Sequence, residues 1–241
     1  MKIVRFRDPS GYVRNGKWTE NGIIFSGKEY DKNKIEILPP VDPTKIVCVG
    51  LNYKDHAEET NSEIPERPML FLKTPNTIIG HEDTIELPSG KERVDYEAEL
   101  AVIIGKQCKN VDKEEAMEVV RGFTCLNDIS NRDDQSKEQN WVRGKSFDNA
   151  APIGPVIATP DHVSKDAEIK LRLNDELKQE SSREQLIFNI RELISEITEY
   201  LTLEPGDIIA TGTPSGIGSL SSGDKVEVEI EGIGKLKNYV K

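Results

Sequence analysis

Two glutamates one residue apart, in Asp95-Tyr96-Glu97-Ala98-Glu99-Leu100, carry the strongest chemical signal in the sequence. On a β-strand, alternate side chains share a face and lie about 6.5–7 Å apart. Glu97 and Glu99 then point one way, and Tyr96, Ala98 and Leu100 the other. Carboxylates so placed raise each other's pKa unless a cation lies between them. The alternative is an edge strand with a solvated acidic face. Asp128 follows an apolar run at 123–126 and could add a third oxygen ligand. Two Glu and one Asp make an all-oxygen set suited to Mg2+, Mn2+ or Ca2+ rather than zinc. For Asp128 the alternative is a local Asx turn.

A base and two cations complete the candidates. His56 and Glu59 are three residues apart, so one helical turn would bring them together. A carboxylate that orients an imidazole makes a general base near neutral pH, although a lone His is more often structural. Lys145 and Arg132 could place positive charge where oxygen charge develops, or could be solvated surface charges. The loop at 210–218 is rich in glycine but lacks the Lys-Ser/Thr ending of a phosphate-binding P-loop. A backbone-amide pocket for a carboxylate suits it better. His162 reads as a surface loop residue, and Cys48, Cys108 and Cys125 as buried spectator thiols.

These residues need elements to hold them. Strands are expected at 45–50, 69–73, 97–105, 207–210, 225–230 and 236–240, from apolar runs and alternation. Asp112–Glu115 and Ser181–Glu184 both match the capping-box pattern. They predict one helix through Arg121, stopped by Gly122, and a second reaching Leu201. Many strands, few helices and no regular βαβ alternation indicate a β-rich α+β fold. Residues 1–44 read as a small N-terminal β subdomain and linker, ending in the proline-rich stretch from Leu38 to Pro43; residues 45–241 read as the main domain.

Composition limits the partners. The chain has 241 residues, with 32 Lys and Arg against 43 Asp and Glu, a net charge of −11. Such a surplus of acids argues against nucleic acid. No apolar stretch is long enough to span a membrane, and the first ten residues lack the apolar run of a signal peptide. Three cysteines without a C-x-x-C spacing suggest neither a disulfide framework nor a thiolate zinc site. A cytoplasmic location is the expectation.

Taken together and in this order, the motifs resemble the fumarylacetoacetate hydrolase family. The resemblance is carried by Val49–His56, Pro68–Pro75, the E-x-E segment, Asn127–Asp133, Gly144–Asp148, Pro152–Pro155 and the stretch from Leu203 to Gly216. It implies a mixed β-sandwich roll, a homodimer and one divalent cation, Mg2+, Mn2+ or Ca2+. The implied metal ligands are Glu97, Glu99 and Asp128. The implied catalytic residues are His56 and Glu59, on a lid helix that orders on ligand binding, and Lys145. Arg132, Gln135 and Thr213 are implied to bind substrate, with Thr213 on its carboxylate. Gln179 resembles a further family residue, but Asp175 stands where the family motif has Gly.

The expected substrate is a small anionic 2-oxo or 1,3-dicarbonyl acid, cleaved at a C–C bond by hydrolysis. Isomerisation or decarboxylation of 2-hydroxy-diene dioates, or action on oxaloacetate as decarboxylase or tautomerase, is the alternative within the family. An alternative of another class is a non-catalytic binding protein that the metal stabilises.

Overall fold

The computed structural model describes residues 1–241. Its largest sheet is mixed. Ten strands run in the order Lys28–Tyr30, Ile23–Phe25, Val13–Trp18, Lys2–Arg7, Ala151–Ala158, Val120–Asn127, Ala98–Ile104, Ile208–Ala210, Ile46–Val49 and Leu70–Lys73. The first 30 residues thus extend one end of this sheet, through pairing of Lys2–Arg7 with Ala151–Ala158. A second sheet contains Glu176–Ser182, Glu168–Leu173, Lys225–Ile230, Gly234–Val240 and Thr84–Ile85. The β-rich architecture expected from the sequence is the observed one.

The strand Ala98–Ile104 explains where the chemistry sits. All seven residues are buried, because both faces are covered. Leu100, Val102 and Ile104 join the main core with Val226, Val228 and Leu236 of the second sheet. Ala101 and Ile103 enter a smaller core with Ile46, Cys48, Leu126 and Ile208. Glu99 and Glu97 continue the Ala101–Ile103 parity, so they emerge at the end of the smaller core. The solvated-edge alternative fails for this reason. All three cysteines are buried and free, as expected.

The helices differ from expectation at both capping boxes. Residues 116–119 form only a 3-10 turn, Ala116–Val119, and the chain then enters the strand Val120–Asn127. The β-branched pair Val119 and Val120 and a long-range ladder to Ala98–Ile104 outweigh the local capping signal. Gly122 does not stop a helix. It lies within this strand, where a Cβ would sit 2.3 Å from the Ala158 carbonyl oxygen, so only glycine allows the approach. The second helix begins later than expected, at Ile190–Tyr200 (α4). Its capping box is Asn189 with Glu192; Ser182 ends a strand and caps only the 3-10 turn Arg183–Gln185. Leu186 and Ile187 are held outside α4, by a bridge to Tyr53 and by an Ile187 amide bond to the Asn52 carbonyl at 2.8 Å. The expected apolar face is otherwise present, with Ile190, Leu193, Ile194 and Ile197 buried.

Candidate active site and metal centre

Antiparallel register assembles the three carboxylates. Glu99 pairs with Leu126, and Ala98 with Asn127. One step further, the Asp128 amide donates to the Glu97 carbonyl at 2.9 Å. Asp128 has the parity of Leu126, so it shares a face with Glu97 and Glu99. Their ligand oxygens lie within 4.8 Å of one another. All three residues are buried, Asp128 at 0% exposure. A surface turn at Asp128 is therefore excluded.

Cations surround the triad. Lys145 comes from the short helix Val142–Lys145 (α3) and is 2% exposed, not a surface charge. Its Nζ donates to Glu97 Oε2 and Asp128 Oδ2, both at 2.8 Å, and to Ser130 Oγ at 2.5 Å. Lys73, which sequence reasoning missed, is also fully enclosed and donates to Asp128 Oδ1 at 2.6 Å and to the Ile129 carbonyl at 3.1 Å. Arg132 opens the helical turn Arg132–Gln135 (α2) and donates to Glu97, to Asp95 Oδ2 at 2.9 Å and to Gln135 Oε1 at 2.7 Å. Asp95 was missed as well. It is fully buried and aligns Arg132 from beneath.

Charge splits the two glutamates. Burial pushes the Glu97 carboxyl up, but the Lys145 and Arg132 charges outweigh this and hold it at about 2. Burial pushes Glu99 well above its ordinary value, and the negative Asp128 and Glu97 push it further. Its carboxylate accepts one hydrogen bond, from the Gly212 amide at 2.8 Å. A buried carboxylate with one donor and two anionic neighbours calls for another positive charge. The hard oxygen set fits Mg2+, Mn2+ or Ca2+. Lys145 Nζ, seated between Glu97 and Asp128, shows that this position favours a cation.

The remaining candidates meet here. His56 and Glu59 lie on the helix Lys54–Glu59 (α1), with Nδ1 to Oε2 at 3.1 Å. The Gly216 amide also donates to Glu59, at 3.1 Å to Oε1. The glycine-rich loop is thus an amide pocket for carboxylates, here those of Glu59 and Glu99. Thr213 is buried, and its Oγ1 accepts from Gln179 Nε2 at 2.9 Å. Gln179 Oε1 in turn accepts from the Ala98 amide at 2.9 Å. Gln179 therefore ties the Thr213 loop to the strand that carries the glutamates, despite Asp175 in its motif. His56, Glu97, Glu99, Arg132, Gln135, Lys145 and Thr213 line one cavity of about 220 Å3, together with the apolar Met69, Phe71 and Trp141. Glu59 sits behind His56.

The fold and this site define a β-roll protein with a buried, metal-capable carboxylate triad. The chain belongs to the fumarylacetoacetate hydrolase family: the family model for the fumarylacetoacetate (FAA) hydrolase C-terminal region matches residues 45–241. Oxaloacetate tautomerase YisK of Bacillus subtilis is 43% identical over 227 residues, 88% of this chain and 75% of that protein. The mitochondrial oxaloacetate tautomerase Fahd2a of Rattus norvegicus is 40% identical over 220 residues, 87% of this chain and 70% of that protein. Among solved structures, 5-carboxymethyl-2-hydroxymuconate delta-isomerase from Mycobacterium smegmatis is 37% identical with a TM-score of 0.91, covering 100% of this chain and 98% of that one. No helix is long and apolar enough to cross a membrane.

Proposed function

We propose that the protein is a metal-dependent tautomerase of short 2-oxo dicarboxylic acids, with oxaloacetate as the substrate that fits best. The observation that carries this reading is the 220 Å3 cavity, lined by Glu97, Glu99, Lys145, Arg132 and His56, with Asp128 buried against the two glutamates. It is smaller than the roughly 300–1,000 Å3 of sites for drug-sized ligands. The relatives named as an oxaloacetate tautomerase and a muconate isomerase support proton transfer ahead of the hydrolysis expected from the sequence.

Glu97, Glu99 and Asp128 would hold the divalent cation, which when bound supplies Lewis-acid stabilisation of negative charge on the 2-oxo oxygen. Lys145 adds a fixed positive charge beside the same atoms. Arg132, with Gln135, and Thr213 bind the substrate carboxylates. Asp95 fixes the Arg132 guanidinium and Gln179 fixes Thr213, so both donors are set before substrate arrives. With Nδ1–H donated to Glu59, His56 keeps Nε2 as its basic nitrogen. In the keto-to-enol direction the C3–H bond breaks and its electron pair forms the C2=C3 bond. His56 accepts that proton, the C2=O π pair moves onto the oxygen, and the imidazolium of His56 returns the proton to that oxygen.

The same residues could direct water at a C–C bond, so the products decide. Oxaloacetate and a series of acylpyruvates are incubated with Mg2+ or Mn2+, and products are weighed by mass spectrometry while enol absorbance is followed. Accelerated enol decay at unchanged mass is expected. Two fragments from an acylpyruvate would return the reading to hydrolysis, and released CO2 to decarboxylation. No turnover, with a large fall in melting temperature on chelation, would favour a metal-stabilised binding protein. We also propose a homodimer, supported by Met69, Leu72 and Val142, which are exposed beside the edge strand Leu70–Lys73. Sedimentation at twice the monomer mass tests it.

A further inference from the structure

A larger cavity, of about 470 Å3, shares no lining residue with the catalytic one. Phe123, Val163 and Ile190 give it apolar walls, and Arg183, Arg191 and Lys165 line the same space. None of these three cations forms an ion pair, in a chain that carries 43 acidic residues. The Arg183 guanidinium lies over the Phe123 ring at 5.1 Å and donates only to the carbonyls of Val163 (3.4 Å) and Ser164 (3.1 Å). The Arg191 guanidinium likewise donates only to main-chain carbonyls, of Lys113 and Glu114. Burial holds the Arg183 guanidinium below its ordinary value. One acid, Glu184, lies on the lining and bonds neither arginine.

The same segment supports α1. Leu186 bridges to Tyr53, the residue that starts α1. The Ile187 amide donates to the Asn52 carbonyl, and the Phe188 amide to Asn52 Oδ1, both at 2.8 Å. Asn52 Nδ2 reaches Phe188 O at 3.2 Å and Thr211 O at 2.8 Å, next to the Gly212 amide that holds Glu99. A ligand that orders residues 183–191 therefore acts on the base of the helix that carries His56.

We infer that this cavity is a second binding site, for a small organic anion with an apolar body, and that its occupancy stiffens the base of α1. The anionic head, a carboxylate or a phosphate ester, would pair with Arg183 and Arg191, and the apolar body would lie on Phe123 and Ile190. Both features are needed, because the cations alone would favour inorganic phosphate and the walls alone a neutral ligand.

The full-length protein is titrated calorimetrically with hexanoate and hexyl phosphate, with hexanol and inorganic phosphate as controls. Saturable binding of at least one amphiphilic anion, about tenfold tighter than either control, is expected. The exposed pair in K165Q/R191Q should weaken it about tenfold without affecting folding, and R183Q by more. Amide exchange at residues 52–60 should slow on binding, whatever the catalytic site does. Equal affinity in K165Q/R191Q and the parent, or no saturable binding of either anion, overturns the site. Tight binding with unchanged exchange at 52–60 overturns the coupling to α1.

Discussion

Two of the places in this molecule that bury carboxylates treat them in opposite ways. Asp207 has 0% exposure, and five donors surround it. Thr44 N (2.9 Å), Thr44 Oγ1 (2.7 Å) and Lys45 N (3.1 Å) reach Oδ1; Lys45 Nζ (2.5 Å) and Glu204 N (2.8 Å) reach Oδ2. Burial alone would raise its carboxyl, but these donors hold it below the ordinary value. Glu99 is just as deep and has one donor and two anionic neighbours. The chain satisfies the first carboxylate itself and leaves the second for something from outside. A buried carboxylate without enough partners is costly and is driven toward its neutral form until a cation binds, so its presence here points to a ligand rather than to stability.

The sharpest way to break this contrast is to neutralise each carboxylate in place. Glu99→Gln should lower turnover of oxaloacetate about 10³-fold, or about 4 kcal/mol in barrier, with little loss of melting temperature. Without metal the Glu99 carboxyl is already driven toward its neutral form, so a neutral amide in its place costs the fold little. A variant that unfolds but keeps turnover when stabilised would invert the comparison. Asp207→Asn should do the reverse. An amide turns one NH2 group toward a donor and leaves Lys45 without its anion, at a cost of about 3–5 kcal/mol. That is a fall of about 10 °C in a chain of this size, with turnover per folded molecule unchanged.

The Asp207 site also has a pH signature. Its folded pKa lies below the value of about 3.9 for an unfolded aspartate. The unfolded state therefore binds more protons as the solution acidifies, and the Asp207 contribution is complete above that value. It is lost as pH falls through the lower folded pKa. The difference between parent and Asp207→Asn should be full at neutral pH and shrink below about pH 4.

Metal sharpens the contrast next. Mg2+ or Mn2+ at about a hundred times its dissociation constant should stabilise the parent by about 2.7 kcal/mol. Asp207→Asn should gain the same increment and Glu99→Gln almost none, read as shifts in melting temperature. Equal shifts in all three proteins would mean that the ion binds elsewhere.

The two sites were unequally legible in the sequence. The E-x-E spacing needed only the two-residue period of a strand, and Asp128 followed from the end of an apolar run. Lys73 gave no such signal. It ends the run Leu70–Lys73, and its partner Asp128 lies 55 residues away. Asp207 was hidden for the same reason, since its main partners, Thr44 and Lys45, lie 163 and 162 residues away. The helix starts failed differently. Both capping patterns were present, but local capping contributes only about 1 kcal/mol each. Ladder pairing of Val120–Asn127, and the main-chain bonds from 186–188 to Asn52 and Tyr53, decided which residues entered helices.

The smallest expected effect tests how redundant the satisfied site is. Thr44→Val removes one of three donors to Asp207 Oδ1, the 2.7 Å hydroxyl, and keeps the side chain's shape. Thr44 is exposed, so little cavity is left behind. Four donors remain, two on each oxygen, so the carboxylate stays fully paired. The loss should be about 1 kcal/mol, one net hydrogen bond, with no change in turnover or in the Mg2+ shift. A loss near that of Asp207→Asn would show that the five donors act as one unit and that Asp207 has no donor to spare. It would then resemble Glu99, whose single Gly212 amide is equally irreplaceable, and the difference between the two sites would reduce to donor number alone.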